Sequence, residues 1–106
     1  MKVYVAGPYS VGDQAVNVKT AISVAEELLN LGHTPFVPHL THFWHMIYPH
    51  AYTTWIEYDL EWLEKCDALL RLEGESYGAD KEVRFANAYN IPVYYSIQEL
   101  QSRLVK

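Results

Sequence analysis

Two carboxylates, Asp59 and Glu82, stand where a surface pattern would not put them. Asp59 falls among Trp55, Ile56, Trp62 and Leu63, on the apolar side of an amphipathic stretch. Glu82 falls on the side of a following helix that continues as Phe85, Ala86 and Tyr89. Between them lie an apolar run, Ala68-Leu69-Leu70, and the polar loop Ser76-Tyr77-Gly78. Each acid has a structural explanation. An Asp among apolar neighbours caps a nearby loop, since an unpaired buried carboxylate is costly. A Glu in the first turn of a helix is favoured by the macrodipole. Taken together, two carboxyls in different surroundings let one site hold a charged nucleophile or base beside a protonated acid.

The elements that must position these acids follow from periodicity. Lys2–Gly7 is a short β-rich opening, and Gly7–Gly12 is a loop. Asp13 is placed to cap a helix over about 13–31, whose apolar stripe reads Ala15, Val18, Ile22, Ala25, Leu29. Gly32 sits at the C-terminal left-handed position. His33–Pro38 is a second strand, and residues 39–50 form a long His- and aromatic-rich connection. A helix over 51–66 carries Asp59 in its middle, 67–72 is a buried strand, and 79–89 is a helix with Glu82 in its first turn. Ile91–Tyr95 is a fourth strand, and a last helix ends near Leu104. The β-α alternation implies a parallel sheet with right-handed crossovers. Ligands of such sheets sit beyond the carboxyl ends of the strands. Loops 7–13, 39–50 and 73–82 lie there, so Gly7, Tyr9, Ser10, His39, Ser76 and Gly78 are the candidate substrate contacts.

Composition narrows the partners. The chain has 106 residues and a net charge of −5 with no basic run, which disfavours nucleic-acid polymers and anionic membranes. No apolar run is long enough to span a bilayer, and no signal peptide is visible. The single cysteine, Cys66, fits packing in a reducing compartment, so a cytoplasmic location is expected. Nine Tyr and three Trp suggest a planar ligand, an oligomer or both. The histidines at 33, 39, 42, 45 and 50 lack a zinc spacing, and no metal is expected. They read better as lining a pocket or a subunit contact. Gly7 and Gly12 are five apart, which matches neither a dinucleotide fingerprint nor a P-loop, so no cofactor is expected.

The opening Val3-Tyr4-Val5-Ala6-Gly7 and the block Asp59-Leu60-Glu61-Trp62-Leu63…Asp67…Ser76-Tyr77-Gly78…Glu82…Ala86 resemble the nucleoside 2-deoxyribosyltransferase-like family. The second block is most similar to the 2′-deoxynucleoside 5′-phosphate N-hydrolase branch. The resemblance implies a single domain over 1–106. It implies an α/β, flavodoxin- or Rossmann-like three-layer sandwich with a parallel sheet of four or five strands. It also implies roles. Glu82 would attack C1′ of the sugar. Asp59 would be the acid beside the sugar and leaving base. Tyr4 would orient the nucleophile, and Ser76 would fill a polar position that the transferases give to Asp. The substrate would be a nucleoside or nucleoside 5′-monophosphate, and the assembly a homodimer or larger homo-oligomer. The hydrolase branch has a Ser- and Arg-rich loop for phosphate, and loop 7–12 here has no Arg. Connection 39–50 has no counterpart in the resemblance. Two other readings compete: a non-catalytic nucleotide-binding or sensing module on the same fold, and an interaction protein that uses its aromatics.

Overall fold

The computed structural model describes residues 1–104, so the last two residues of the domain expected over 1–106 lie outside the described residues. Four strands, β1 (Lys2–Ala6), β2 (Thr34–Phe36), β3 (Ala68–Arg71) and β4 (Val93–Tyr94), form one parallel sheet in the order β2-β1-β3-β4. Helices α1 (Gln14–Asn30), α2 (Thr41–Ile47), α3 (Tyr52–Glu64), α4 (Tyr77–Ala88) and α5 (Ile97–Leu104) complete the chain. This is the α/β architecture that the alternation of elements required.

Strand alternation divides the core into two halves. Val3, Val5, Ala68 and Leu70 pack with Ala21, Leu28 and Leu100 on the side of α1 and α5. Tyr4, Ala6 and Leu69 point the other way, onto Leu63, Ala79 and Ala86 of α3 and α4. Each central strand is therefore apolar on both faces, as a sheet covered by helices on both sides demands. β1 pairs with β2 on one side and with β3 on the other, so the chain reverses direction across the sheet between β1 and β3. The loops after these two strands diverge there and leave a crevice.

Local chemistry fixes the helix ends. The Asp13 side chain accepts from the amides of Ala15 and Val16 at 2.9 and 3.2 Å and starts α1. The Ser76 hydroxyl accepts from the Ala79 amide at 3.0 Å and starts α4. Asn90, with φ 59°, takes the left-handed conformation after α4.

Three expectations are corrected. The inward side of α1 buries Val18, Ala21 and Leu28, whereas Ile22 and Leu29 stay exposed. Two apolar stripes overlap on this helix, and the sheet edge it packs on, β1 and β2, decides which is covered. Residues 39–50 are not an open connection: one 3₁₀ turn (Pro38–Leu40) runs into α2. Pro38 begins that turn, where a missing N–H costs nothing. Finally, α4 starts two residues earlier than its apolar period implies, at Tyr77. Glu82 therefore lies in the second turn, where the macrodipole is weaker.

Candidate active site

A cavity of about 570 Å³ opens at the crevice between β1 and β3. Its lining includes Gly7, Tyr9 and Ser10 after β1, His39 after β2, Asp59 from α3, and Ser76, Gly78 and Glu82 from the start of α4. The structure thus gathers these residues around one space. Tyr4 does not line it. It is fully buried beneath the floor, and its hydroxyl donates to Oε2 of Glu82. β1 makes this contact because Tyr4 is on the α4 face of the sheet, in register with Leu69. α3 packs against α4 and brings Asp59 to the same wall as Glu82.

The two acids are 8% exposed each, and their environments differ. Burial pushes the Glu82 carboxyl up to about 7, while the Tyr4 hydroxyl and the Arg71 guanidinium oppose the rise. Burial and then the charge of Glu82 push Asp59 up to about 8. Asp59 Oδ1 is buried with no hydrogen-bond partner among the described residues. Glu82 has a donor and a nearby cation, and Asp59 has neither, so Glu82 ionises first. The Tyr4 phenol is itself held well above its usual range by burial and by Glu82, so it remains a donor. The anionic form of Glu82 therefore rests on Tyr4 and Arg71, in place of the helix terminus that the sequence suggested.

Both carboxyls hold protons in the folded chain that the unfolded chain would release near pH 4. The folded state therefore binds more protons, and stability falls as pH rises from about 4 through 7 to 8. Asp59→Asn removes the part of that loss due to Asp59. It should raise the free energy of unfolding at pH 9 relative to wild type by on the order of a few kcal/mol, seen as a higher Tm, and change it little at pH 4. Thermal unfolding of both proteins at the two pH values checks this.

The other side chains have defined tasks. The Ser76 oxygen accepts from the Ala79 amide at the start of α4, and its hydroxyl proton remains available to donate. His39 donates from Nε2 to the Pro8 carbonyl at 2.9 Å, and burial lowers its basicity. Tyr9 bonds through its hydroxyl to Nδ1 of His42 and so ties the first loop to α2. Gly7 packs against Leu72, where a Cβ would come within 3.0 Å. Gly74 has φ +115°, and a Cβ there would lie 2.7 Å from Pro8. Gly74→Ala is expected to lower stability by about 2 kcal/mol or more, through left-handed strain and the clash between the two crevice loops. Chemical denaturation measures the loss.

The structure adds residues that spacing did not single out. Tyr52, Trp55 and Ile56 line the cavity from α3, in line with Asp59 at intervals of three, four and seven residues. That periodicity was the available signal, but it reads equally as core. His42, His45 and His50 join His39 at the cavity, whereas His33 is held elsewhere between Gln101 and the chain's amino group. Arg71 ends β3 buried, donating to the carbonyls of Leu72 and Gly74 and pairing with Asp80 at 3.0 Å. Among the described residues no three metal-binding side chains converge, and no helix is long and apolar enough to cross a membrane.

Residues 1–96 match the family described as a domain of unknown function, DUF7768. The chain belongs to that family. Among solved structures it is similar to the 2-deoxyribosyltransferase of the psychrotolerant bacterium Bacillus psychrosaccharolyticus. The TM-score is 0.64 and the identity 26%, over 88% of this chain and 69% of that one. No curated protein matches the chain. The neighbour is an enzyme that transfers deoxyribosyl groups.

Proposed function

We propose that this DUF7768 chain breaks the N-glycosidic bond of a (deoxy)nucleoside or nucleoside 5′-monophosphate and passes the sugar to water or to a second base. The observation that carries this reading is the Tyr4–Glu82–Asp59 arrangement. One buried carboxylate is held by a phenol, and a second carboxyl of higher pKa faces the same cavity. The deoxyribosyltransferase neighbour supports the same chemistry.

In this reading an Oε atom of Glu82 attacks C1′ as the bond from C1′ to the base nitrogen breaks. The bonding electron pair leaves with the base, which takes the proton of Asp59. The sugar is left as an ester on Glu82, and Asp59 is left ionised. In the second half Asp59 removes a proton from the acceptor, water or the N–H of another base. The acceptor attacks C1′, and the Glu82 carboxylate is released. This is the two-carboxylate logic of retaining glycosidases. Gly7, Tyr9, Ser10, Ser76, Gly78 and His39 surround the substrate. No cofactor or metal is required by these steps.

The reading also carries a single domain, a homodimer or larger assembly, and a cytoplasmic setting. An apolar groove lined by Ile22, Leu29, Leu40, Trp44 and Tyr58 offers a contact surface for such an assembly.

Incubation of the pure protein with a panel of nucleosides and 5′-monophosphates tests the proposal, with free base as the readout. Base release is expected, and a second base in the mixture separates transfer from hydrolysis. Binding without any release would replace the enzyme with a nucleotide-binding module.

A further inference from the structure

The structure fixes the tautomer of one cavity residue, His45, through two donors on the same ring nitrogen. Its Nδ1 lies 2.9 Å from the indole nitrogen of Trp55 and 3.2 Å from the backbone nitrogen of His50. An indole N–H and an amide N–H can only donate. Nδ1 must therefore be the acceptor for both, and the ring proton sits on Nε2. Nε2 makes no hydrogen bond among the described residues, yet His45 lines the cavity. An oriented donor is thus left without a partner at a ligand-sized space.

Its place relative to the acids follows from α3. Trp55 and Asp59 are four residues apart and share one side of that helix, about 6 Å apart along its axis. Both line the cavity. Under the proposed function, the leaving base lies over Asp59, which supplies its proton. The next turn toward the mouth is Trp55, which holds His45. His45, Trp55 and Tyr52 line the same cavity as Asp59, so a planar heterocycle over Asp59 has the His45 ring and two aromatic side chains as neighbours on the α2 side. Trp55 is itself fixed edge-on by His50, with ring centroids 5.3 Å apart and planes at 87°.

We propose that His45 is a base-recognition residue, which donates from Nε2 to a carbonyl oxygen or ring nitrogen on the edge of the nucleobase away from the sugar. This rests on the glycosidic reading of the site. It adds that the base lies toward α2, and that the enzyme favours bases with an acceptor at that edge.

Two substitutions separate recognition from structure. Asparagine places its side-chain oxygen where Nδ1 was, so H45N keeps an acceptor for Trp55 and His50 but lacks the Nε2 donor. Glutamine reaches the Nε2 position instead, so H45Q keeps a donor there but loses the inner acceptor. Base release is measured for wild type and both variants, with a nucleoside and with its analogue in which C–H replaces the acceptor atom. The expected result is a KM for the nucleoside raised roughly three- to tenfold in H45N, with H45Q recovering most of that loss. The analogue should show no difference between wild type and H45N. A purely structural His45 gives the reverse order, H45N close to wild type and H45Q impaired, and that order overturns the proposal. Equal losses on nucleoside and analogue also overturn it, because the contact would then be to the sugar. Wild-type protein that releases no base from any nucleoside refutes the glycosidic reading instead. In that case Kd for the nucleoside, measured by calorimetry on the same three proteins, must keep the same order for His45 to stand. Absence of binding refutes both.

Discussion

Glu82→Gln should abolish base release while leaving nucleoside binding intact. Glutamine keeps the shape of the side chain and an oxygen to accept from Tyr4, so the floor of the cavity is preserved. It cannot form the sugar ester. Loss of the nucleophile is expected to lower kcat by on the order of 10⁴-fold or more. The Kd of the nucleoside should change only a few-fold, because the remaining lining is untouched. Single-turnover assays with wild type should also trap a sugar adduct on Glu82, visible by mass spectrometry of the quenched protein, and the Gln variant should show none. Turnover by Glu82→Gln within tenfold of wild type would remove the carboxylate from the reaction.

The second large effect is on the pH profile. Under the proposed mechanism Glu82 attacks in its ionised form, and its carboxyl is raised to about 7. Activity should therefore rise as pH increases through that value. Under the same mechanism Asp59 protonates the leaving base, and its carboxyl is raised to about 8. Activity should then fall above that value. The profile of kcat/KM is expected to be a narrow bell with its maximum between the two limbs. Burial holds both limbs far above the ordinary carboxylate range, and the charge on Glu82 keeps Asp59 the higher. Asp59→Asn should lower kcat by about 10² to 10⁴-fold and erase the alkaline limb while the acid limb stays. A profile that keeps its alkaline limb in this variant would move the proton donor elsewhere. The effect should be smaller for a base that leaves easily without protonation, which separates an acid from a merely structural carboxylate.

Much of the candidate site can be read from the chain because, Asp59 in mid-helix apart, it lies at or just beyond the ends of regular elements. Asp13 and Ser76 mark helix starts by their side-chain chemistry, and the β-α order directs the ligand to the loops after β1, β2 and β3. Asp59 and Glu82 stand out because a carboxylate on an apolar face must be explained. The partners of these groups cannot be read the same way. Tyr4 and Glu82 are separated by 78 positions, and only the pairing of β1 with β3 and the packing of α4 on that sheet face bring them together. Arg71 reads as the polar end of a strand, and its effect on Glu82 depends on which face of β3 it occupies. The stretch 39–50 misled for a related reason. Its aromatics and histidines have no simple period, and α2 is held by contacts to α3 and to the first loop, such as Trp55–His45 and Tyr9–His42.

The sequence by itself determined the β-α alternation, the parallel sheet and the placement of two carboxylates on apolar helix faces, because capping, alternation and helical period are local properties. The tertiary structure alone decided that Tyr4 lies beneath Glu82, that Asp59 lines the same cavity, and that His45 lines it with its Nδ1 engaged by Trp55. Each of these depends on which faces meet across the sheet and between α2 and α3. Burial, which no local pattern sets, then raises both carboxyls toward neutral pH.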